Sequence, residues 1–128
     1  MSIIKDINLA PSGEMKINWV ERNMPVLRGI GRRFSEEKPF KGLKVALSVH
    51  LEAKTAYLCR VMEMGGAEMY VTGSNPLSTQ DDVAAALDAG GMNVFAEYGC
   101  TEQQASDGEM LKACAMVLRD IMVEHGVE

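Results

Sequence analysis

The fold is decided by Leu43-Lys44-Val45-Ala46-Leu47-Ser48-Val49-His50-Leu51-Glu52-Ala53-Lys54-Thr55. Leu43 to Val49 is a short apolar run, the pattern of a buried strand. The polar stretch from His50 to Thr55 then opens a segment, Lys54 to Gly65, with helical spacing at Ala56, Leu58, Val61 and Met62. Gly65-Gly66 stops that segment. The same order returns further on. Ala67 to Thr72 reads as a second strand, and Ser74-Asn75-Pro76-Leu77-Ser78-Thr79-Gln80-Asp81 is a second polar run. Asp81 to Ala89 reads as a helix ended by Gly90-Gly91, and Met92 to Ala96 as a third strand. A last helix is expected from Glu102 or Ser106 to His125, with Leu111, Ala115, Leu118 and Met122 on one stripe.

Strand and helix in alternation predict an α/β fold with a parallel sheet and right-handed crossovers. The expected architecture is a partial Rossmann-like, three-layer domain with helices on both faces. The similar layout of Leu43 to Gly66 and Ala67 to Gly91 is ordinary βα grammar and does not indicate a duplication. Upstream, Ile17, Val20, Met24, Leu27 and Ile30 (with Trp19 beside them) predict a helix over Gly13 to Arg33. Ser12 is its expected N-cap, and Pro25 should kink or end it. Phe34 to Gly42 is a polar connector.

The chain has 128 residues, 47% of them hydrophobic and 24% charged, with a net charge of -5. That is one globular domain's worth of chain, and its charge disfavours nucleic acid. Arg28, Arg32 and Arg33 are expected near a helix end, where cations suit the dipole. No apolar stretch approaches the roughly 20 residues of a membrane span, and the N-terminus lacks a secretion pattern. Cys59, Cys100 and Cys114 form no CxxC pair, which fits a reducing cytoplasm. With only His50 and His125 there is no His-rich metal centre. The ten methionines read mainly as core filling.

The carboxyl ends of the three strands share one edge, where α/β proteins hold ligands. That edge collects His50, Glu52 and Lys54; then Ser74, Asn75, Ser78, Thr79 and Gln80; then Glu97, Tyr98, Thr101 and Glu102. His50 is the acid-base candidate. The competing reading makes it a helix cap or a partner of a backbone carbonyl, and makes Glu52 and Lys54 a solvated pair. Ser78 or Thr79 is expected to cap the helix after it in a capping box, leaving the Asn75 and Gln80 amides free for a ligand. A GxGxxG turn after a strand, a P-loop, a GxSxG elbow and an HExxH motif are all missing.

These segments resemble the N-terminal part of the adenosylhomocysteinase (S-adenosylhomocysteine hydrolase) family. The resemblance rests on Asp6-Ile7-Asn8-Leu9-Ala10, Met24-Pro25-Val26-Leu27, Phe40 to Ala46 and His50 to Thr55. It continues through Gly65-Gly66-Ala67-Glu68, Asn75 to Ala86 and Gly90 to Ala96, and fades after Glu102. Ser78-Thr79-Gln80-Asp81 is its most specific run. The resemblance implies a hydrolase that splits a nucleoside thioether into homocysteine and nucleoside in one-carbon metabolism. It implies NAD bound in a separate domain, transiently oxidising the 3′-hydroxyl so that homocysteine is eliminated and water adds.

By the same resemblance His50 occupies a proton-transfer position near the 5′ leaving group. Glu52, Lys54 and Thr55 belong to the same loop. Asn75, Ser78, Thr79 and Gln80 match the loop that helps hold the homocysteine portion. Many members carry Thr at the position of Glu52 and Glu or Gln at that of Lys54, where the side chain accepts from the adenine amino group. Lysine has three donors and no acceptor, so it suits a 6-oxo base. His-Leu-Glu-x-Lys-Thr looks like an archaeal-type branch, part of which is associated with S-inosylhomocysteine. The competing reading turns Lys54 outward onto Glu52 or Glu97.

Family members are several times longer than this chain. Residues 1–128 are therefore expected to be a substrate-domain segment without the NAD domain, inactive alone and binding no NAD itself. The rival expectations are a stand-alone, non-catalytic α/β module that binds a nucleoside or supports assembly, and a structural domain whose polar loops are only caps. A cytoplasmic homo-oligomer is expected, because a sheet cut from a larger domain leaves apolar surface or an open edge.

Overall fold

The computed structural model describes residues 2–73, 75 and 77–98. Among these residues four strands and four α-helices follow one another as β1 (Ile3–Ile4), α1 (Ala10–Asn23, after a 3-10 turn at Ile7–Leu9), α2 (Pro25–Glu37), β2 (Lys44–Val49), α3 (Ala53–Met64), β3 (Glu68–Gly73), α4 (Asp81–Ala89) and β4 (Asn93–Ala96). The sheet is parallel throughout, in the order β1-β4-β3-β2. Lys44 lies opposite Glu68, Val49 opposite Gly73, and Thr72 opposite Phe95. This register brings the carboxyl ends of β2, β3 and β4 to one edge, as the alternation predicts. The short strand β1, which pairs Ile3 with Phe95, has no counterpart in the sequence reading. Two residues are too few to show a period.

Both βα units turn back in the same way. The second glycine of each pair, Gly66 at φ 93° and Gly91 at φ 94°, takes the left-handed conformation. Ala67 N–H then reaches the Met62 carbonyl at 3.2 Å, and Met92 N–H the Leu87 carbonyl at 3.1 Å. These paired closures of a helix end satisfy its last carbonyls and aim the chain into the next strand.

Val45, Leu47, Met69, Val71, Val94 and Ala96 alternate along their strands and meet the core that α3 and α4 complete. Ile17, Leu51, Val61, Val71, Val83, Leu87 and Val94 are fully buried there. Each contributes about 1.5–3 kcal/mol relative to exposure. Met69 and Met92 are core residues and Met24 and Met62 pack on the core, whereas Met15 and Met64 are exposed. The helix expected from Glu102 or Ser106 onward lies outside the described residues.

The N-terminal helix ends at Pro25, one of the two outcomes expected there, and departs from expectation in two other ways. It is two helices, because Pro25 has no N–H to continue the first. Met24 accordingly leaves the helical conformation (φ -124°, ψ 71°), and Pro25 starts α2. Ser12 is not the N-cap: α1 begins earlier, at Ala10 with Pro11 in its first turn, and the Ser12 hydroxyl donates to Asp82 at 2.8 Å. Arg28, Arg32 and Arg33 sit inside α2 and not in its last turn, which runs on to Glu37.

α1 crosses α4 at its closest where Gly13 lies on the Asp82 carbonyl and the Ala86 methyl. Lys16 pairs with Asp82 at 2.7 Å, and Arg60 of α3 with Glu14 of α1 at 2.7 Å. Burial alone would raise the pKa of Asp82. Lys16, the Ser12 hydroxyl and the Val83 N–H outweigh it and hold the carboxyl below its ordinary value of 3.8.

Three substitutions test this packing. Gly13→Ala should destabilise the fold by about 1–3 kcal/mol in urea, since the added methyl collides with α4 backbone. Gly29→Ala, in open space on α2, should stabilise it by about 0.5–1 kcal/mol. Asp82→Asn should lose about 0.5–1 kcal/mol near neutrality. A carboxylate with a lowered pKa stabilises fully above its ordinary value and stops doing so as pH falls through the lowered one. The gap between Asp82→Asn and the parent should therefore close below pH 3.8, as measured by urea midpoints across acid pH.

Candidate functional site

Two loops at the carboxyl edge are locked together. In the β2–α3 loop Leu51 is fully buried and holds its neighbours to the core. Its carbonyl accepts the Gln80 N–H of the β3–α4 loop at 3.0 Å. Beside this bond, His50 Nδ1 lies 2.6 Å from Ser78 Oγ. The histidine is exposed, and its ring is bonded to a side chain of the neighbouring loop. It is neither a cap nor a partner of a backbone carbonyl.

The β3–α4 loop is organised around Asn75. Its Oδ1 accepts the Leu77 N–H at 2.9 Å, a side-chain turn of the kind asparagine forms. Its carbonyl receives the Ser78 N–H at 3.1 Å, the Ser78 hydroxyl at 3.0 Å and the Thr79 hydroxyl at 3.2 Å. Thr79 is buried, and its Oγ1 fills the space a Cβ on Gly73 would need. Ser78 and Thr79 therefore shape the loop, and the expected capping box is absent. Gln80 is the N-cap and caps with no side chain. At the start of α4 Asp82 takes the Val83 N–H at 2.9 Å, while Asp81 reaches out to the Tyr98 N–H beyond β4 at 2.8 Å. Negative charge there suits the helix dipole.

The amides are only half free. Asn75 Oδ1 is in its turn, and Gln80 Oε1 accepts from Lys16 at 3.3 Å. Among the described residues both NH2 groups lack an acceptor, so each can donate to a ligand.

On the other flank of Leu51, Glu52, Ala53 and Lys54 start α3 and line a groove of about 420 Å³. Met15, Lys16, Trp19 and Val20 of α1 form its second wall. Trp19 is 61% exposed, so its indole face is open. Among the described residues Lys54 pairs with neither Glu52 nor Glu97, and its side chain helps line the groove. Thr55 follows in the first turn of α3, half-buried. Reading Trp19 only as a companion of the core stripe, and the methionines mainly as core filling, hid this wall. A tryptophan beside the stripe was the one signal of it.

Cys59 is buried, and burial pushes its thiol up to about 12, so it is no nucleophile. Among the described residues no three His, Cys, Asp or Glu side chains are grouped to hold a metal ion. No described helix is long and apolar enough to cross a membrane.

A histidine–serine pair, amide donors and an apolar groove gather at one edge of a parallel sheet, the place where α/β folds carry their ligand sites. The family model for S-adenosyl-L-homocysteine hydrolase matches residues 1–123, and the chain belongs to that family. It is 52% identical over its whole length to the S-inosyl-L-homocysteine hydrolase of Methanococcus maripaludis, covering 30% of that protein. Its identity to the adenosylhomocysteinase of Thermococcus kodakarensis is 47%, over 98% of this chain and 29% of the other. With the S-inosyl-L-homocysteine hydrolase of Methanocaldococcus jannaschii it shares 54% over 79% of its length, or 24% of the relative. The chain thus spans less than a third of the length of these relatives.

Proposed function

We propose that this chain is the N-terminal substrate-binding segment of a hydrolase that acts on a nucleoside thioether of homocysteine, with the inosyl form preferred over the adenosyl form. The observation that carries this is the placement of His50 and Lys54 on opposite flanks of buried Leu51. His50 meets Ser78 at the sheet edge, and Lys54 stands at the apolar groove. A planar base lies in that groove against Trp19, with Lys54 Nζ donating to its 6-oxo group. Glu52 and Thr55 bound the same end. The homocysteine portion lies along the β3–α4 loop, within reach of the free amide hydrogens of Asn75 and Gln80. Thr79 acts there by holding the loop and Ser78 by holding His50. His50 supplies a proton to the homocysteine sulfur as the C5′–S bond breaks.

NAD, the family's cofactor, does not fit the residues described here. The β2–α3 turn has no glycine to admit a pyrophosphate, and α4 opens on Asp81 and Asp82, which repel phosphate. No hydride step is assigned to this chain, and alone it binds without turnover. A net charge of -5 argues against a nucleic-acid partner, and the reduced, buried Cys59 is in keeping with the cytoplasm. A second copy is the expected protein partner. Among the described residues β2 pairs only with β3, and Leu43 just before it and Val49 at its end are exposed.

Calorimetric titration with S-inosylhomocysteine and S-adenosylhomocysteine should show the inosyl form bound at least tenfold more tightly. A site left with an unpaired polar partner can discriminate by up to roughly 10⁴-fold. Lys54→Glu should reverse the order, and His50→Ala should weaken both ligands without moving the melting temperature. Equal affinities in the parent and in Lys54→Glu would remove the base assignment. If neither ligand bound, the substrate reading would go with it. Sedimentation at high concentration should show a dimer or larger species; a strict monomer contradicts the expected assembly.

A further inference from the structure

The contact between His50 and Ser78 has a direction that the hydrogen-bond pattern around it determines. A serine hydroxyl has one hydrogen and two lone pairs. Ser78 sits three residues after Asn75, and both its N–H and its hydroxyl face the Asn75 carbonyl, at 3.1 and 3.0 Å. Bonding back to the carbonyl three residues earlier is the habit of serine in a turn. With its hydrogen committed there, Oγ offers only lone pairs to His50 Nδ1, 2.6 Å away. This arrangement gives the donor role to the ring nitrogen.

We propose that Ser78 is a positioning residue that holds neutral His50 as the Nδ1–H tautomer, leaving the Nε2 lone pair as its one site of proton exchange. When Nε2 takes up a proton the ring becomes imidazolium, and Nδ1–H still donates to the same Oγ. The contact therefore survives both charge states, and the ring does not turn as the proton comes and goes. Ser78 can be held in this way because Asn75 and Thr79 fix its loop, and because the bond from Gln80 N–H to the Leu51 carbonyl fixes that loop to the histidine's own. The chemical importance of the tautomer rests on the reading of His50 as the proton-transfer residue; its existence does not.

The test is nitrogen NMR of the ¹⁵N-histidine-labelled chain without ligand, in buffer alkaline enough to keep the ring neutral. His125→Gln removes the other histidine's signals. The expected spectrum has Nδ1 in the N–H range and Nε2 in the lone-pair range. Ser78→Ala should shift the ring toward the Nε2–H form that free imidazole side chains prefer, and Ser78→Thr should restore the parent pattern. A parent chain with Nε2–H, or a Ser78→Ala spectrum unchanged from the parent, overturns the proposal. If Ser78→Ala does not fold, the parent spectrum alone decides, since it reports the tautomer directly. A failure to bind nucleoside thioethers would leave this measurement untouched.

Discussion

Leu51 is the residue on which the site depends. It lies between two polar neighbours, His50 and Glu52, and its side chain is wholly withdrawn from water. Burying it costs the loop its freedom, and the core interaction compensates by about 1.5–3 kcal/mol. Once Leu51 is inside, its carbonyl must find a donor, because an unpaired buried carbonyl is expensive. The donor is Gln80 N–H, at the cap of the next helix. One apolar anchor thus joins two consecutive βα loops, and everything polar at the edge is arranged around that joint. His50 is directed to one side and Glu52 with Lys54 to the other.

The other constraint is the approach of α1 to α4. A glycine at position 13 lets the helices come within backbone contact, and Ser12 and Lys16 then reach Asp82. This contact places Met15 and Trp19 opposite the start of α3, so a helix whose apolar stripe serves the core also lends its flank to the groove. Lys16 has two roles here, since it touches both the Asp82 carboxylate and the Gln80 amide. Packing and recognition therefore share residues. That is why the interior of the edge is full of short internal hydrogen bonds, while among the described residues the donors left over include Lys54 and the amide hydrogens of Asn75 and Gln80.

Much of this was legible before any coordinates. Apolar runs of four to seven residues, each followed by a polar turn and a helical period, announce a parallel sheet, and the glycine pairs mark where each helix stops. The break at Pro25 follows from a missing N–H. The motif-bearing loops carry the family's pattern from His50 to Thr55 and from Asn75 to Gln80, and the family assignment followed from them. Less legible were features governed by partners distant in sequence. Ser12 had the right chemistry for an N-cap and instead serves Asp82, 70 residues away. Ser78 and Thr79 had the right spacing for a capping box and instead turn back on Asn75. In both cases local propensity offered one hydrogen bond and tertiary packing supplied another.

The sequence by itself therefore determined the strand and helix alternation, the edge at which the polar loops gather, and the family to which they belong. These depend on periodicity and on short contiguous motifs, which need no neighbour to be read. Only the tertiary structure decided that the ring nitrogen of His50 meets Ser78, that Lys54 and Trp19 line one groove, and that, among the described residues, Asn75 and Gln80 have one free end each. Those outcomes depend on which long-range partner reaches a given donor first. That is settled by the closeness of two helices and the burial of one leucine, and local spacing does not encode either.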